Sequence, residues 1–84
     1  MNEFNVLYDT FKYNIFYKED DIGYLVKLVS KANEGNYTIL RIKGEAAKVE
    51  ESNINDYENC GIIEQNIRMI LLALEEAEEE RAVR

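Results

Sequence analysis

The first half of the chain alternates apolar and polar residues in a way that indicates strands. Large apolar residues occupy every second position from Phe11 to Lys18, which is the period of a strand with one buried face. Segments Tyr24–Lys31 and Tyr37–Lys43 are rich in β-branched and aromatic residues and indicate two more strands. The loops Glu19–Gly23 and Ala32–Asn36 are too short for parallel crossovers. We therefore expect a three-stranded antiparallel meander.

Residues 2–11 fit two patterns. Their largest apolar residues fall at the helical spacing i, i+3, i+4 and i+7, namely Phe4, Leu7, Tyr8 and Phe11. Asn2 is a suitable N-cap for such a helix. The alternation of Phe4, Val6 and Tyr8 fits a strand instead. Because the helical pattern includes more of the large apolar residues, we expect a short N-terminal helix.

The end of the chain carries the strongest helical signal. An apolar stripe repeats at steps of four and three residues, at Ile63, Ile67, Ile70, Leu74 and Ala77, with Leu71 beside it. Asn55 followed by Glu58 resembles a capping box. A long amphipathic helix is therefore expected over about residues 56–82. The preceding segment, Glu45–Asn55, fits either a short strand at Ala46–Val49 or a helical turn.

Together these elements predict an α+β fold: a short N-terminal helix, a three-stranded antiparallel β-meander and a long C-terminal amphipathic helix. A chain of 84 residues is too short for two cores, so we expect one domain over residues 1–84. Charge divides that domain in two. Residues 1–44 hold six acids and six bases, whereas residues 45–84 hold eleven acids and four bases, which is the whole net charge of −7.

Composition argues against an enzyme. The chain has no histidine and one cysteine, which excludes imidazole catalysis and metal cages built from several cysteines or histidines. The adjacent acid pairs Asp20-Asp21 and Glu50-Glu51 would point apart in extended geometry, and Cys60 fits a buried or half-buried structural thiol better than a reactive one. We expect no catalytic residue, no metal and no cofactor. No leader or long apolar run is visible, so a cytoplasmic protein without a membrane partner is expected.

The acidic half is the candidate binding region. Five glutamates fall among residues 75–80, near the end of a helix, where the dipole disfavours negative charge. Such a conflict with local stability is typical of functional surfaces. We predict an inhibitor that binds a basic nucleic-acid-handling protein, such as a nuclease, and no nucleic acid directly. The expected partner-binding residues are Glu50, Glu51, Asp56, Glu58, Glu75, Glu76, Glu79 and Glu80, with Tyr57 as an aromatic anchor.

Two apolar residues allow an alternative. Leu72 projects on the polar side of the predicted helix, and Met69 lies at the edge of the apolar stripe. Single exposed apolar residues are common and often have no role. If these two form a contact, the protein is a regulatory homodimer, antitoxin-like or an adaptor, which uses the C-terminal helix as its interface.

The predicted layout resembles that of small acidic prophage-encoded anti-CRISPR proteins, which block the RNA-guided nuclease of type II systems. The matching pieces are the opening Met1-Asn2, the strands Tyr13–Tyr17, Tyr24–Ser30 and Tyr37–Lys43, the Asn33–Asn36 hairpin and the acid-rich end. The resemblance implies a DNA mimic made by a phage and acting in the bacterial host cell. It also implies that the acids fill the nuclease's site for the duplex next to the protospacer.

Overall fold

A computed structural model describes residues 3–82 as one antiparallel sheet and one helix. The five strands are β1 (Asn5–Asp9), β2 (Tyr13–Glu19), β3 (Tyr24–Ser30), β4 (Tyr37–Lys43) and β5 (Ala46–Ser52), and they are followed by helix α1 (Asp56–Ala82). The strands lie side by side in chain order, so β1 and β5 are the two edges of the sheet. Helix α1 occupies the range that the sequence predicts.

The core lies between α1 and one face of the sheet, which we call the inner face. The inner face supplies five fully buried apolar side chains, Ile15, Val26, Leu28, Leu40 and Ile42. The helix supplies Ile62, Ile70 and Leu74. Burying a side chain of this size contributes about 1.5–3 kcal/mol, so these eight residues are the main source of stability.

The outer face of the sheet is covered by its own long side chains. Lys18 Nζ lies 4.8 Å from the centre of the Phe4 ring, and Lys27 Nζ lies 5.8 Å from Phe4 and 5.3 Å from Tyr37. Cation–π contacts of this kind contribute about 0.5–1 kcal/mol each at exposed sites. Arg41 extends the cover by pairing with Asp20 at 2.7 Å. On this face a lysine–aromatic stripe therefore shields the sheet, in the place that a further layer of secondary structure would occupy.

The expected N-terminal helix is wrong, because residues 5–9 form strand β1 and pair with β2. A β-bulge explains the misleading pattern. Val6 pairs with Phe16 and Tyr8 pairs with Ile15, which leaves Leu7 as an extra residue. The bulge brings both Leu7 and Tyr8 against the core, and this breaks the period of two. Asn2, the expected N-cap, lies outside the described residues.

The expected number of strands is also wrong, since the sheet has five strands and not three. Strands β2, β3 and β4 lie on the three predicted segments, and Ala46–Ser52 adds β5. A two-residue turn at Gly44-Glu45 joins β4 to β5, with Gly44 at φ 58°. Glycine at the first position of a two-residue hairpin turn is typical of type II′. The three-stranded layout implied by the anti-CRISPR resemblance therefore does not describe this chain.

The buried side of α1 includes two asparagines that an apolar pattern cannot identify. The buried positions are Asn59, Ile62, Asn66, Ile70 and Leu74, whereas the predicted Ile63 and Ile67 are only half-buried. Asn66 Nδ2 donates to the carbonyl of Ile62 at 2.8 Å, which satisfies one buried polar group within the helix. The helix is thus rotated relative to the predicted apolar stripe.

Asn59 fixes the start of the helix to the ends of β4 and β5. Its Oδ1 accepts hydrogen bonds from the hydroxyls of Thr38 at 2.6 Å and Ser52 at 3.1 Å. The backbone N–H of Glu58 donates to Asn55 Oδ1 at 2.8 Å and caps the first turn. Because Thr38 and Asn59 are buried, an unpaired group there would be costly.

Replacing Asn59 should therefore destabilise the protein. Asn59→Ala leaves the buried Thr38 hydroxyl with fewer partners, and we expect the free energy of unfolding to fall by about 1–3 kcal/mol in urea denaturation. Gln65→Ala, at an exposed position on the same helix, is the control. An Asn59→Ala variant as stable as Gln65→Ala would contradict this role.

The turn between β2 and β3 should make stability depend on acidic pH. Hydrogen bonding to Arg41, together with the N–H groups of Ile22 and Gly23, lowers the pKa of Asp20 from 3.8 to about 2. A lowered pKa stabilises the fold above the unfolded-state value, and that contribution is lost as the pH falls from about 4 to 2. In the Asp20→Asn variant the urea midpoint should therefore depend less on pH between about pH 4 and pH 2 than it does in the wild type. In the Asp21→Asn variant the pH dependence of the urea midpoint should be unchanged. Equal slopes for the wild type and Asp20→Asn would refute the linkage.

Candidate partner-binding surface

The last two turns of α1 present four glutamates to solvent. Glu75, Glu76, Glu79 and Glu80 are exposed, and among the described side chains none of them has an ion pair or a hydrogen bond. We call these four residues the acidic tail. The fifth glutamate differs, because Glu78 accepts a hydrogen bond from the Tyr24 hydroxyl at the start of β3. That bond holds the end of the helix on the sheet, whereas the acidic tail stays exposed to solvent.

The acidic tail is placed where it costs stability. Glu75 and Glu79, and likewise Glu76 and Glu80, are like-charge neighbours four residues apart. Each such pair destabilises a helix by about 0.2–0.5 kcal/mol. Negative charge near the C-terminal end also opposes the helix dipole. The structure therefore offers no stabilising role for the acidic tail within the described part of the chain.

The other predicted binding residues on α1 lie at its opposite end. Asp56, Tyr57 and Glu58 form the first turn, where acids interact favourably with the dipole. With a rise of 1.5 Å per residue, Asp56 and Glu75 are about 28 Å apart along the helix axis. Tyr57 is 91% exposed and contacts no part of the acidic tail. The structure thus separates this group from the acidic tail.

Glu50 and Glu51 belong to a third location, the outer face of the sheet. Glu50 Oε2 pairs with Arg41 Nε at 3.1 Å, and Glu51 Oε2 accepts a hydrogen bond from the Tyr37 hydroxyl at 2.6 Å. That hydrogen bond to Glu51 is the main cause of the raised pKa of Tyr37. Both acids are therefore engaged within the molecule, which distinguishes them from the unpaired carboxylates of the acidic tail.

A groove runs between α1 and the edge strand β1. Its strand side is lined by Val6, Leu7, Tyr8 and Tyr17, and its helix side by Met69, Leu72, Ala73 and Ala77. Glu76 and Glu80 of the acidic tail complete the lining. The cavity volume is about 390 Å³. We call this feature the β1–α1 groove.

The β1–α1 groove collects apolar side chains that the fold leaves exposed. On the helix side Met69 is 56% exposed and Leu72 49%, whereas Val6 pairs with Phe16 and directs its side chain to the outer face. The sequence singled out Met69 and Leu72 but missed the strand side of the groove, because β1 was taken for a helix. The alternation of Phe4, Val6 and Tyr8 was the signal that could have identified it. The groove therefore joins an apolar surface to half of the acidic tail.

The Tyr8 hydroxyl lies buried on the strand side of the groove. Among the residues described, its oxygen has no hydrogen-bond partner, and burial raises the pKa of the phenol. A buried hydroxyl without a partner costs about 1–3 kcal/mol. A buried polar group on this side of the helix therefore lacks a hydrogen-bond partner among the residues described. At the start of the helix, by contrast, the side chains of Thr38, Ser52 and Asn59 are joined by hydrogen bonds.

Other features offer less. Cys60 is exposed, which corrects the expectation of a buried or half-buried thiol. Across residues 3–82, no group of three or more Asp, Glu or Cys side chains is arranged to hold a metal ion. No helix in that range combines the length and apolar character needed to cross a bilayer. What the described surface can do chemically is present carboxylates and an adjoining apolar groove.

A comparison with protein-family models, curated proteins and solved structures finds no significant match.

Neutralising the acidic tail should stabilise the protein. A variant with Gln at positions 75, 76, 79 and 80 loses two like-charge pairs, so we expect its free energy of unfolding to rise by about 0.4–1 kcal/mol at low salt. The gain should shrink in 0.5 M salt, where charges are screened within about 4 Å. Glu50→Gln, which breaks a pair with Arg41, should not stabilise the protein. A loss of stability in the tail variant would show that these acids support the fold.

Proposed function

We propose that this protein is a non-enzymatic inhibitor that binds a basic nucleic-acid-handling protein through the acidic tail of α1. The carboxylates occupy the partner's nucleic-acid site and exclude the natural ligand. An RNA-guided nuclease is one example of such a partner. The observation that carries the proposal is the group of four exposed glutamates without partners among the described residues, held on a helix end that they destabilise.

The spacing of these charges supports mimicry of a nucleic acid. Residues 75–80 span about 7.5 Å of helix axis, so the four glutamates of the acidic tail lie about 2.5 Å apart along that axis on average. Double-stranded DNA carries one charge per about 1.7 Å of its axis. A nucleic-acid site lined with arginine and lysine on the partner would therefore meet a comparable charge density on DNA and on the acidic tail. It could donate charge-assisted hydrogen bonds to either of them.

The rest of the charge distribution favours a protein partner over nucleic acid. The chain carries a net charge of −7, which repels phosphate. The lysines of the outer face lie against Phe4 and Tyr37, and Arg41 is paired with Asp20 and Glu50. These three cations of the outer face are thus engaged within the molecule, while the acidic tail is available to a partner.

Affinity capture from a bacterial lysate tests the proposal with two matched variants. The first carries Gln at 75, 76, 79 and 80. The second carries Glu45→Gln, Asp56→Asn, Glu58→Gln and Glu64→Gln, which removes the same charge from exposed positions elsewhere. We expect the wild type and the second variant to capture a nucleic-acid-binding protein, and the first variant to lose it. Added duplex DNA should compete with the capture.

Three results would count against the proposal. These are equal capture by both variants, a captured protein that DNA does not displace, and no specific capture at all. A nucleic-acid-binding assay on the identified partner completes the test, because the protein should inhibit that binding and the tail variant should not. The loss should be greatest at low salt, since screening weakens all charge pairs.

A further inference from the structure

We propose that the β1–α1 groove is the docking site for a basic amphipathic helix of the partner. This inference rests on the proposed function for the basic character of that partner. It goes further because it adds an apolar contact to the partner, made by groove residues outside the acidic tail. Met69 and Leu72 supply that contact from α1, with the half-buried Leu7 opposite them on β1, and Glu76 and Glu80 supply the charge beside it.

The groove exists because one helix is too narrow for this sheet. Five strands spaced about 4.8 Å apart place the axes of β1 and β5 about 19 Å apart. A helix with its side chains is about 10–12 Å wide. Helix α1 therefore cannot cover the full width of the sheet, and beside β1 a groove stays open between Leu7 and Tyr8 on the strand and Met69 and Leu72 on the helix. In a two-layer fold a second helix would lie there, next to the first.

A helix fits this flank better than an added strand. Strand β1 has only five residues and contains the bulge at Leu7. Short, bulged edge strands resist pairing with another chain, because their backbone groups do not form a continuous ladder. The exposed apolar side chains that line the groove, Met69 and Leu72, belong to α1. Contact through side chains, as between two packed helices, is therefore the available mode of binding.

The chemistry of the groove specifies the ligand. Its helix side runs from Met69 to Glu80, which is about 17 Å, or three turns of a docked helix. An apolar stripe on the ligand would pack against Met69 and Leu72. Glu76 and Glu80 have no ion pair in the described part of the chain, so they call for lysine or arginine beside that stripe.

The same charges argue against a second copy of this chain in the groove. Two copies would each bring Glu76 and Glu80 to the contact, and each copy carries a net charge of −7. Like charges brought together at an interface cost affinity. A basic partner is attracted by the charges that would repel a copy. We therefore assign the groove to a basic helix and treat a homodimer as a competing outcome.

The test is an NMR titration of the full chain with a synthetic peptide. The probe is an 18-residue peptide with blocked ends, with leucines at i, i+3, i+4, i+7 and lysines on the flanks of that stripe. The control peptide has the same composition with the leucines scattered around the helix. The groove variant carries Met69→Gln and Leu72→Gln. Its matched control carries Phe11→Gln and Ile22→Gln, two exposed apolar residues outside the groove.

The proposal predicts that the striped peptide shifts the methyl signals of Leu7, Met69 and Leu72 and binds about tenfold or more tightly than the scattered one. The groove variant should lose this preference and the control variant should keep it. Shifts confined to the acidic tail, no difference between the peptides, or no binding would overturn the docking site. A dimer that light scattering detects in the free protein, and that the groove variant abolishes, would also overturn it.

The two proposals can fail separately. If Gln substitutions in the acidic tail weaken binding and substitutions at Met69 and Leu72 do not, the proposed function stands and the docking site in the groove is refuted. Binding that depends on Met69 and Leu72, but not on Glu75 and Glu79 outside the groove, would support the groove and count against the acidic tail as the main determinant.

Discussion

The packing of helix α1 on the inner face of the sheet is the contact on which the rest of the molecule depends. Ile62, Ile70 and Leu74 meet the buried side chains of the central strands. The hydrogen bonds of Asn59 to Thr38 and Ser52 set where the helix starts, and the bond between Glu78 and Tyr24 holds its other end. This one contact fixes which side of the helix is exposed, and so determines the position of the acidic tail.

A single helix on five strands also dictates how the remaining surface is used. The outer face has no second layer and is covered by lysines lying on Phe4 and Tyr37, with Arg41 held by two carboxylates. On the inner side, the β1–α1 groove stays open between the edge strand and the helix. Lys18, Lys27 and Arg41 are thus engaged on the outer face, whereas the acidic tail, without partners among the described residues, lies at the end of α1. A surface with this separation of charge is suited to binding a basic partner.

The sequence predicted the parts of the fold that follow from local periodicity. Helix α1 and the segments of β2, β3 and β4 have strong patterns, and their positions agree with the structure. Strand β1 was missed because its large apolar residues, with Leu7 in the bulge, also fit the helical spacing, and β5 was not assigned because its segment fitted either a short strand or a helical turn. The buried asparagines of α1 could not be predicted from an apolar pattern, since Asn59 depends on tertiary contacts to Thr38 and Ser52 and Asn66 on a hydrogen bond to the Ile62 carbonyl in its own helix. For the same reason the sequence could not show that Glu50 and Glu51 are engaged on the outer face.

The salt dependence of partner affinity tests most directly whether charge on the acidic tail drives binding. For a charge-driven complex, log Kd rises in proportion to log salt concentration, with a slope set by the number of contacts. We predict a smaller slope when the acidic tail is changed to Gln. Changing Met69 and Leu72 to Gln should weaken binding at every salt concentration without altering the slope. A slope that is the same with and without the acidic tail would contradict the account.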